Sequence, residues 1–478
     1  MKISVTTEIL PHQQAAIDKL CHSRVGALFM DMGTGKSRIV IELAGMRQEK
    51  IDKVIWFTLV SLKETVRYEI LKHTNLSDDE IYLFDHKTSD DNLQDASWYI
   101  IGLESLGSSS RVALAANKLV TERTMVIVDE SSHIKGHRAK RTRRVILLAE
   151  KARYRMILTG TPVSQGIQDL FCQMQFLSPK ILGYRSWYSF AHNHLEYSKL
   201  YKGRIVYTFN EDWLAAKIQP YVYQITKEEC LDLPPKLQES FFCFLTWHQD
   251  EYYEKAKEDF FKDIEIYADP DSIFLSSVPI FRLFSRLQSI CCGFFVNDKG
   301  MVVPLENNRV RLLLDVVGQI PASEKVVIWT KYRYVVTTLA KELSTIYGDD
   351  QVCLCYGGIP VGKRNRNIER WRKSGRFLVA TQDAGGYGLD LTAACKVIFY
   401  ANTFKYASRI QAEDRCYRIG QDKPVTYIDL WADCGIENRI RAALKNKKNV
   451  AEFFRDEVEM IKTKFNPDEI QERLRNIL

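Results

Sequence analysis

The sequence predicts an α/β protein built from two parallel-sheet lobes with helical insertions between them. Short, continuous apolar runs alternate with helical segments in two separate series, the pattern of strands covered on both faces. Length agrees, since 478 residues exceed what one compact core holds and favour two or three domains. The pattern divides the chain into an N-terminal lobe over 1–180, helical insertions and a bridge over 181–320, a C-terminal lobe over 321–450 and a helical tail over 451–478.

The first element, over residues 9–22, reads as an amphipathic helix with Pro11 at its start. Gln13 either belongs to a capped surface helix or contacts an adenine edge, since a side-chain amide both donates and accepts. Val25-Gly26-Ala27-Leu28-Phe29-Met30 follows as a strand, then the turn Asp31-Met32-Gly33-Thr34-Gly35-Lys36-Ser37, then the helical run Ile39–Ala44. Gly33 and Gly35 let the backbone around Thr34 curl with its N–H groups aimed at an anion. Lys36 can then reach outer phosphates and the Ser37 hydroxyl can ligate Mg²⁺, with the positive end of the helix dipole behind them. One departure is visible: Met30 stands six residues before the lysine, where the full phosphate-loop pattern has glycine.

Apolar runs at Val54–Val60, Trp98–Leu103, Met125–Val128 and Arg155–Leu158 continue the first sheet, and functional loops of such sheets lie at the strands' carboxyl ends. Asp129-Glu130 follows Val128. As a functional pair, Asp129 would hold Mg²⁺ through water and Glu130 would polarise the attacking water; the plain alternative is a charged turn. Thr159-Gly160-Thr161-Pro162 follows Leu158, a hydroxyl-rich turn suited to linking a phosphate site to a bound strand. Lys135, Arg138, Lys140, Arg141, Arg143 and Arg144 crowd the next segment with no acidic residue among them. Such a run is either a solvated helical face or a contact for nucleic-acid phosphates.

From about 180 to 320 the strand pattern lapses. Tyr184, Trp187, Tyr188, Phe190, Tyr197 and Tyr201 read as core rather than as platforms for nucleobases. Leu233-Pro234-Pro235-Lys236 is expected to interrupt a helix. Trp247–Tyr267 and Pro279–Cys291 have helical periodicity.

The second strand series runs through Lys325–Thr330, Val352–Tyr356, Phe377–Thr381, Lys396–Tyr400 and Val425–Leu430, and contains no phosphate loop of its own. The segment 411–421 is expected to be a helix with Arg415 and Arg418 at i, i+3 on one face. That pair suits arginine fingers that stabilise charge on a γ-phosphate held by the other lobe; spacing alone leaves salt bridges to Asp414 or Glu413 equally open. A second basic cluster, Lys363, Arg364, Arg366, Arg370, Arg372, Lys373 and Arg376, interleaves Trp371 and has Glu369 as its acidic member.

The bulk numbers describe a globular chain, 46% hydrophobic and 11% aromatic, with a net charge of +7 that permits an anionic partner without requiring one. The 11 cysteines form no Cys-x-x-Cys pair and read as reduced, mostly buried thiols with no zinc site. No apolar run approaches the ~20 residues that span a bilayer, and the N-terminus has no apolar signal core; no membrane contact and a cytoplasmic location are expected.

Taken in order, these motifs resemble the superfamily 2 helicases, and more closely their Swi/Snf-type branch of DNA translocases, over roughly residues 9–450. Gln13 falls in the branch's adenine-reading motif, Asp31–Ser37 in motif I and Asp129-Glu130 at the start of motif II. Leu158-Thr159-Gly160-Thr161-Pro162 matches motif III, Gly385–Ala394 motif V, and Gln411–Gln421 motif VI. The branch commonly carries an acidic residue where the generic loop has glycine, so it too departs from the generic pattern. Ser132 stands at the fourth position of motif II, where the branch usually has histidine, which puts coupling to motif III through that position in doubt.

The resemblance implies two RecA-like lobes, ATP and Mg²⁺ as cofactors, and DNA as partner: duplex, forked or branched, read without sequence preference. Catalytic roles would fall to Lys36, Glu130, Arg415 and Arg418; nucleotide contacts to Gln13, Gly33, Thr34, Gly35, Lys36, Ser37, Gly388, Asp390 and Gln411; metal binding to Ser37 and Asp129. Nucleic-acid contacts would fall to Ser61, Lys135, Arg138, Thr159, Thr161, Arg364, Arg366 and Thr381. The expected activity is an ATP-driven DNA translocase of a minimal bacterial or phage kind. A branch-migrating or fork-unwinding helicase shares every motor motif. The distant rival is an ATP-gated clamp or partner-binding module without turnover. The sequence leaves a protein partner open.

Overall fold

The computed structural model describes residues 3–163, 166–198, 205–266, 277–385, 389–450 and 453. The chain divides into two compact units, Met1–Asp232 and Leu233–Leu478.

The first unit is built on a seven-stranded sheet. Its strands are β1 (Val25–Met30), β2 (Lys53–Thr58), β3 (Ile81–Leu83), β4 (Trp98–Gly102), β5 (Thr124–Asp129), β6 (Tyr154–Thr159) and, after a two-stranded antiparallel ribbon of β7 (Leu195–Tyr197) and β8 (Ile205–Thr208), β9 (Val222–Ile225). The order is β3-β4-β2-β5-β6-β1-β9 and every pairing is parallel. Strand residues alternate between two buried faces: Ile55, Phe57, Val126 and Val128 enter one core, and Val54, Trp56, Met125 and Ile127 the other. That two-sided burial is why the inner strands read as unbroken apolar runs.

The second unit is built on a six-stranded parallel sheet, order β10-β17-β16-β13-β15-β14. Its strands are β10 (Lys236–Cys243), β13 (Val326–Thr330), β14 (Val352–Cys355), β15 (Phe377–Thr381), β16 (Lys396–Phe399) and β17 (Val425–Ala432), with a small antiparallel pair, β11 (Phe294–Val296) and β12 (Val302–Pro304), outside it. At the β14 edge, the Asn367 amide donates to Leu354 O at 2.8 Å and the Arg370 guanidinium to Val352 O at 2.6 Å. Charged and polar side chains thus occupy carbonyls that would otherwise invite another strand.

Two expectations need correction. Residues 181–320 are not a separate helical bridge. β9 completes the first sheet and β10 opens the second, so the chain passes from one unit to the other between Asp232 and Leu233. The helices Trp247–Ile266 and Ser277–Cys291 do form, and pack with Gly435–Lys445 in the second unit's core. Nor does Leu233-Pro234-Pro235-Lys236 interrupt a helix; it leads into edge strand β10, where a proline removes no ladder hydrogen bond. Tyr184, Trp187 and Phe190 pack on the first core as expected, while Tyr188 is 71% exposed and Tyr197 40%. Eight of the eleven cysteines are buried. Tyr201, Gly386–Gly388 and nearly all of the tail lie outside the described residues.

Candidate functional site

Motif I follows β1 directly. Gly33 and Gly35 have φ of 81° and 84°, a region that L side chains enter at a cost of ~1–2 kcal/mol, so glycine is required at both turns. The Thr34 carbonyl between them accepts from His12 Nε2 at 2.8 Å and Gln13 Nε2 at 3.2 Å. The helix Pro11–Leu20 therefore braces the loop from behind, and Gln13 is buried with its amide engaged. Lys36 Nζ donates to the carbonyls of Met30 at 2.8 Å and Asp31 at 3.0 Å, and so lies folded over the loop's mouth. Asp31, the acidic residue next to Met30, accepts the Lys227 N–H at 2.9 Å, fastening the loop to the segment after β9.

A β-carbon on Gly35 would stand 2.1 Å from Gln13 Nε2. Gly35→Ala is expected to displace the Gln13 amide and to lower stability by about 1–2 kcal/mol. Thermal denaturation reads the loss of stability, and calorimetric nucleotide titration reads the loss of affinity expected when the displaced amide no longer supports the loop. Unchanged values in both would remove Gln13 from the loop's support.

Motif II follows β5. Glu130 adopts a left-handed conformation (φ 49°), one of three non-glycine residues with positive φ among those described, and its N–H donates to Asp129 Oδ1 at 2.9 Å. Such strain costs ~1–3 kcal/mol and persists where the surroundings enforce it. Burial, and next the charge of Glu130, push the Asp129 carboxyl up to about 7, while Lys36 opposes the shift. Lys36 thus lies close enough to Asp129 to act on its charge, which brings the two turns after β1 and β5 together. A half-buried carboxylate raised by desolvation and by a like charge is a hard oxygen donor whose cost a divalent cation offsets. Asp129 is thus chemically suited to a divalent cation such as Mg²⁺.

Motif III also adjoins the loop. A β-carbon on Gly160 would stand 3.4 Å from Met30 O and 3.5 Å from Met32 N. Thr159 is buried and its hydroxyl accepts the Thr161 N–H at 3.1 Å, so Thr159 shapes the turn and Thr161 is the more open of the two.

In the second unit the helix Tyr406–Glu413 ends before both arginines, contrary to the helical expectation. The Arg415 carbonyl accepts Leu391 N at 3.0 Å instead of continuing a helical ladder, and the Gln421 amide ties itself to the carbonyls of Thr392, Ala394 and Cys416 at 3.0–3.1 Å. Motifs V and VI are thus stitched together. Arg415 is buried at 8% exposure, whereas Arg418 is half-buried. Burial alone would raise the Asp390 carboxyl, but the Thr392 N–H and hydroxyl, with Arg418 and Arg372, hold it below the usual range. Asp390 and Arg418 are therefore neighbours. Gln411 is half-buried on the helix, and Gly388 lies outside the described residues.

One residue of this region was invisible in sequence. Arg409 is buried, with its guanidinium on Asp429 at 2.9 Å, Glu413 at 2.7 Å and Asn402 at 2.9 Å, and it anchors the helix behind motif VI to β17.

The candidate nucleic-acid residues divide by burial. Arg138 and Arg366 are exposed. Lys135 is ion-paired to buried Asp169 at 3.1 Å, so its charge is already answered within the first unit. Arg364 and Thr381 are buried, the first on the inner side of the helix Val361–Lys373 and the second at the end of β15. Ser61 is half-buried in the short turn Val60–Leu62. Much of the two basic clusters is likewise consumed internally. Arg144 caps the carbonyls of Leu106 and Ser109, Arg372 that of Asp390, and Trp371 is wholly buried.

Comparison with known proteins agrees with this geometry. The description "SNF2-related domain" matches residues 15–295, and "Helicase conserved C-terminal domain" residues 308–420. An uncharacterised ATP-dependent helicase of Mycoplasma genitalium is 27% identical over 327 residues, covering 68% of this chain and 30% of that protein. The mouse DNA annealing helicase and endonuclease ZRANB3 is 24% identical over 467 residues, covering 93% of this chain and 40% of its own. The chain thus spans about a third of the length of the curated relatives it matches. Among solved structures, the helicase domain of Pyrococcus furiosus Hef superposes with a TM-score of 0.55 at 14% identity, covering 91% of this chain and 98% of that one; it shares the fold.

Proposed function

The chain belongs to the SNF2-related family, and from that premise we propose that it is a DNA-dependent ATPase that translocates on DNA. The observation that carries the reading is the convergence of Lys36 with the strained Asp129-Glu130 turn. A phosphate cradle, a carboxylate raised by burial and a second carboxylate beside it are what ATP hydrolysis requires.

In this reading the Gly33–Ser37 backbone receives the phosphates and Lys36 exchanges its two loop carbonyls for phosphate oxygens. Mg²⁺, held by Ser37 and Asp129, would neutralise phosphate charge. Glu130 orients and deprotonates the attacking water. Arg415 and Arg418 stabilise the charge that develops on the phosphate being cleaved, with Asp390 orienting Arg418. Gln13 supports adenine recognition from the base of the loop.

DNA is the proposed track, duplex, forked or branched, gripped by its phosphates. Exposure of Arg138 and Arg366 supports both as phosphate contacts. Arg138→Ala and Arg366→Ala are each expected to reduce the slope of log affinity against log salt by about 0.9. Lys135→Ala should lower the melting temperature and leave the slope unaltered, because its partner is Asp169. The opposite pattern would return Lys135 to the DNA surface.

The deciding experiment is ATPase rate with single-stranded, duplex, forked and four-way DNA in parallel. Stimulation by duplex together with triplex displacement supports translocation. Strand separation confined to forks or junctions would favour the unwinding alternative, and no turnover with any of the four would leave an ATP-gated clamp. Among the described residues no helix is long and apolar enough to cross a membrane.

A further inference from the structure

Two turns of the first unit, those after β5 and after β6, are joined by a side chain that belongs to neither. The Ser131 hydroxyl donates to Gln173 Oε1 at 2.7 Å. Gln173 Nε2 in turn donates to Pro162 O at 2.8 Å and to Asp169 O at 2.9 Å. Ser131 and Gln173 are both wholly buried. Rotating the amide by half a turn would set its oxygen against two carbonyl oxygens, so the orientation is fixed by chemistry. A second strap runs parallel to the first, where the Lys135 ammonium meets Asp169 at 3.1 Å, immediately before the helix Leu170–Leu177 that carries Gln173.

The geometry points to Gln173 as a positioning residue: with Ser131 it couples the Thr159–Pro162 turn to the backbone that presents Glu130. This inference rests on the translocase reading above. Glu130 sits one residue from Ser131 in a left-handed conformation, so a displacement of Ser131 reaches it through one peptide unit. The Thr159–Pro162 turn rests on the phosphate loop through Gly160 and also carries Thr161, the more open hydroxyl. A shift of that turn on DNA binding therefore pulls on Pro162 O and, through one amide, on Ser131. The hydroxyl that makes the link is that of Ser131, not Ser132 at the position where the family motif usually carries histidine. Coupling that seemed lost from the motif is supplied from the next helix.

The test measures ATPase of the full chain over a range of ATP concentrations up to saturation, with and without duplex DNA, for wild type, Gln173→Leu and Ser131→Ala. Both variants are expected to keep the DNA-free rate and the KM for ATP while losing about tenfold in stimulation by duplex. A residue that served packing alone would instead lower the melting temperature and leave the stimulation ratio intact. Gln173→Glu, assayed at a pH where the carboxylate is ionised, still accepts from Ser131 but does not donate to Pro162, and it too should be uncoupled. Wild-type stimulation in Ser131→Ala or in a folded Gln173 variant overturns the inference. Should Gln173→Leu fail to fold, Ser131→Ala, which removes one hydroxyl, decides the matter. A wild-type ATPase indifferent to every duplex overturns the translocase reading itself, and the coupling with it.

Discussion

Glu130→Gln is expected to lower ATP turnover on duplex DNA by about a thousandfold while ATP still binds. The exchange is isosteric. It removes the ability to take a proton from water and leaves the backbone, the Asp129 hydrogen bond and the volume as they are. The left-handed φ of 49° costs the amide as much as the carboxylate, so the melting temperature should hold. Loss of the Glu130 charge also relieves the neighbour that helps push Asp129 up to about 7, so Asp129 should ionise more readily and metal binding should improve if anything. A single-turnover measurement with excess enzyme separates this pattern, tight binding with no hydrolysis, from a folding defect. A DNA-stimulated rate within about twofold of wild type would sink the assignment of motif II.

Arg418→Ala should act almost as strongly, lowering kcat by about 10³ with little change in KM, the signature of a group used in the transition state. The structure gives the two arginines different standing. Arg418 is half-buried beside Asp390, whereas the Arg415 side chain is buried, so that truncating it leaves a gap in the second unit. Arg415→Ala is therefore expected to lower both kcat and the melting temperature, and Arg418→Ala only kcat. If Arg418→Ala abolished nucleotide binding instead, its role would be to shape the second unit.

The inner strands of both sheets were legible because burial on two faces leaves an unbroken apolar run, as at Val54–Phe57 and Val326–Trp329. The edges were not. Strand β10 reads Lys-Leu-Gln-Glu-Ser-Phe-Phe-Cys with most residues exposed, and β9 spans four residues; neither carries a pattern distinct from loop. The phosphate loop and the Asp129-Glu130 turn were readable because local chemistry specifies them. The non-helical path of 414–421 has no local signal, since the bonds that fix it join Arg415 to Leu391 and Gln421 to Thr392 and Ala394, more than twenty residues away. Lys135 and Arg364 show the limit for charges. Whether a cation meets solvent depends on a carboxylate or a helix face opposite it, and Asp169 lies 34 residues from Lys135. Gln173 had no motif to announce it.

The parallel edge strands β9 and β10 stand on either side of Asp232 and Leu233, and each is hydrogen-bonded only within its own sheet. The chain can therefore be severed at that one peptide bond without orphaning a strand from either sheet. Co-expressed halves, 1–232 and 233–478, give a route to fragment complementation, in which nucleotide binding by the first half is assayed alone and turnover is restored by adding the second. Cuts near 180 or 320 would strip β9 from one half or β10 from the other and leave a raw sheet edge that favours aggregation over reassembly.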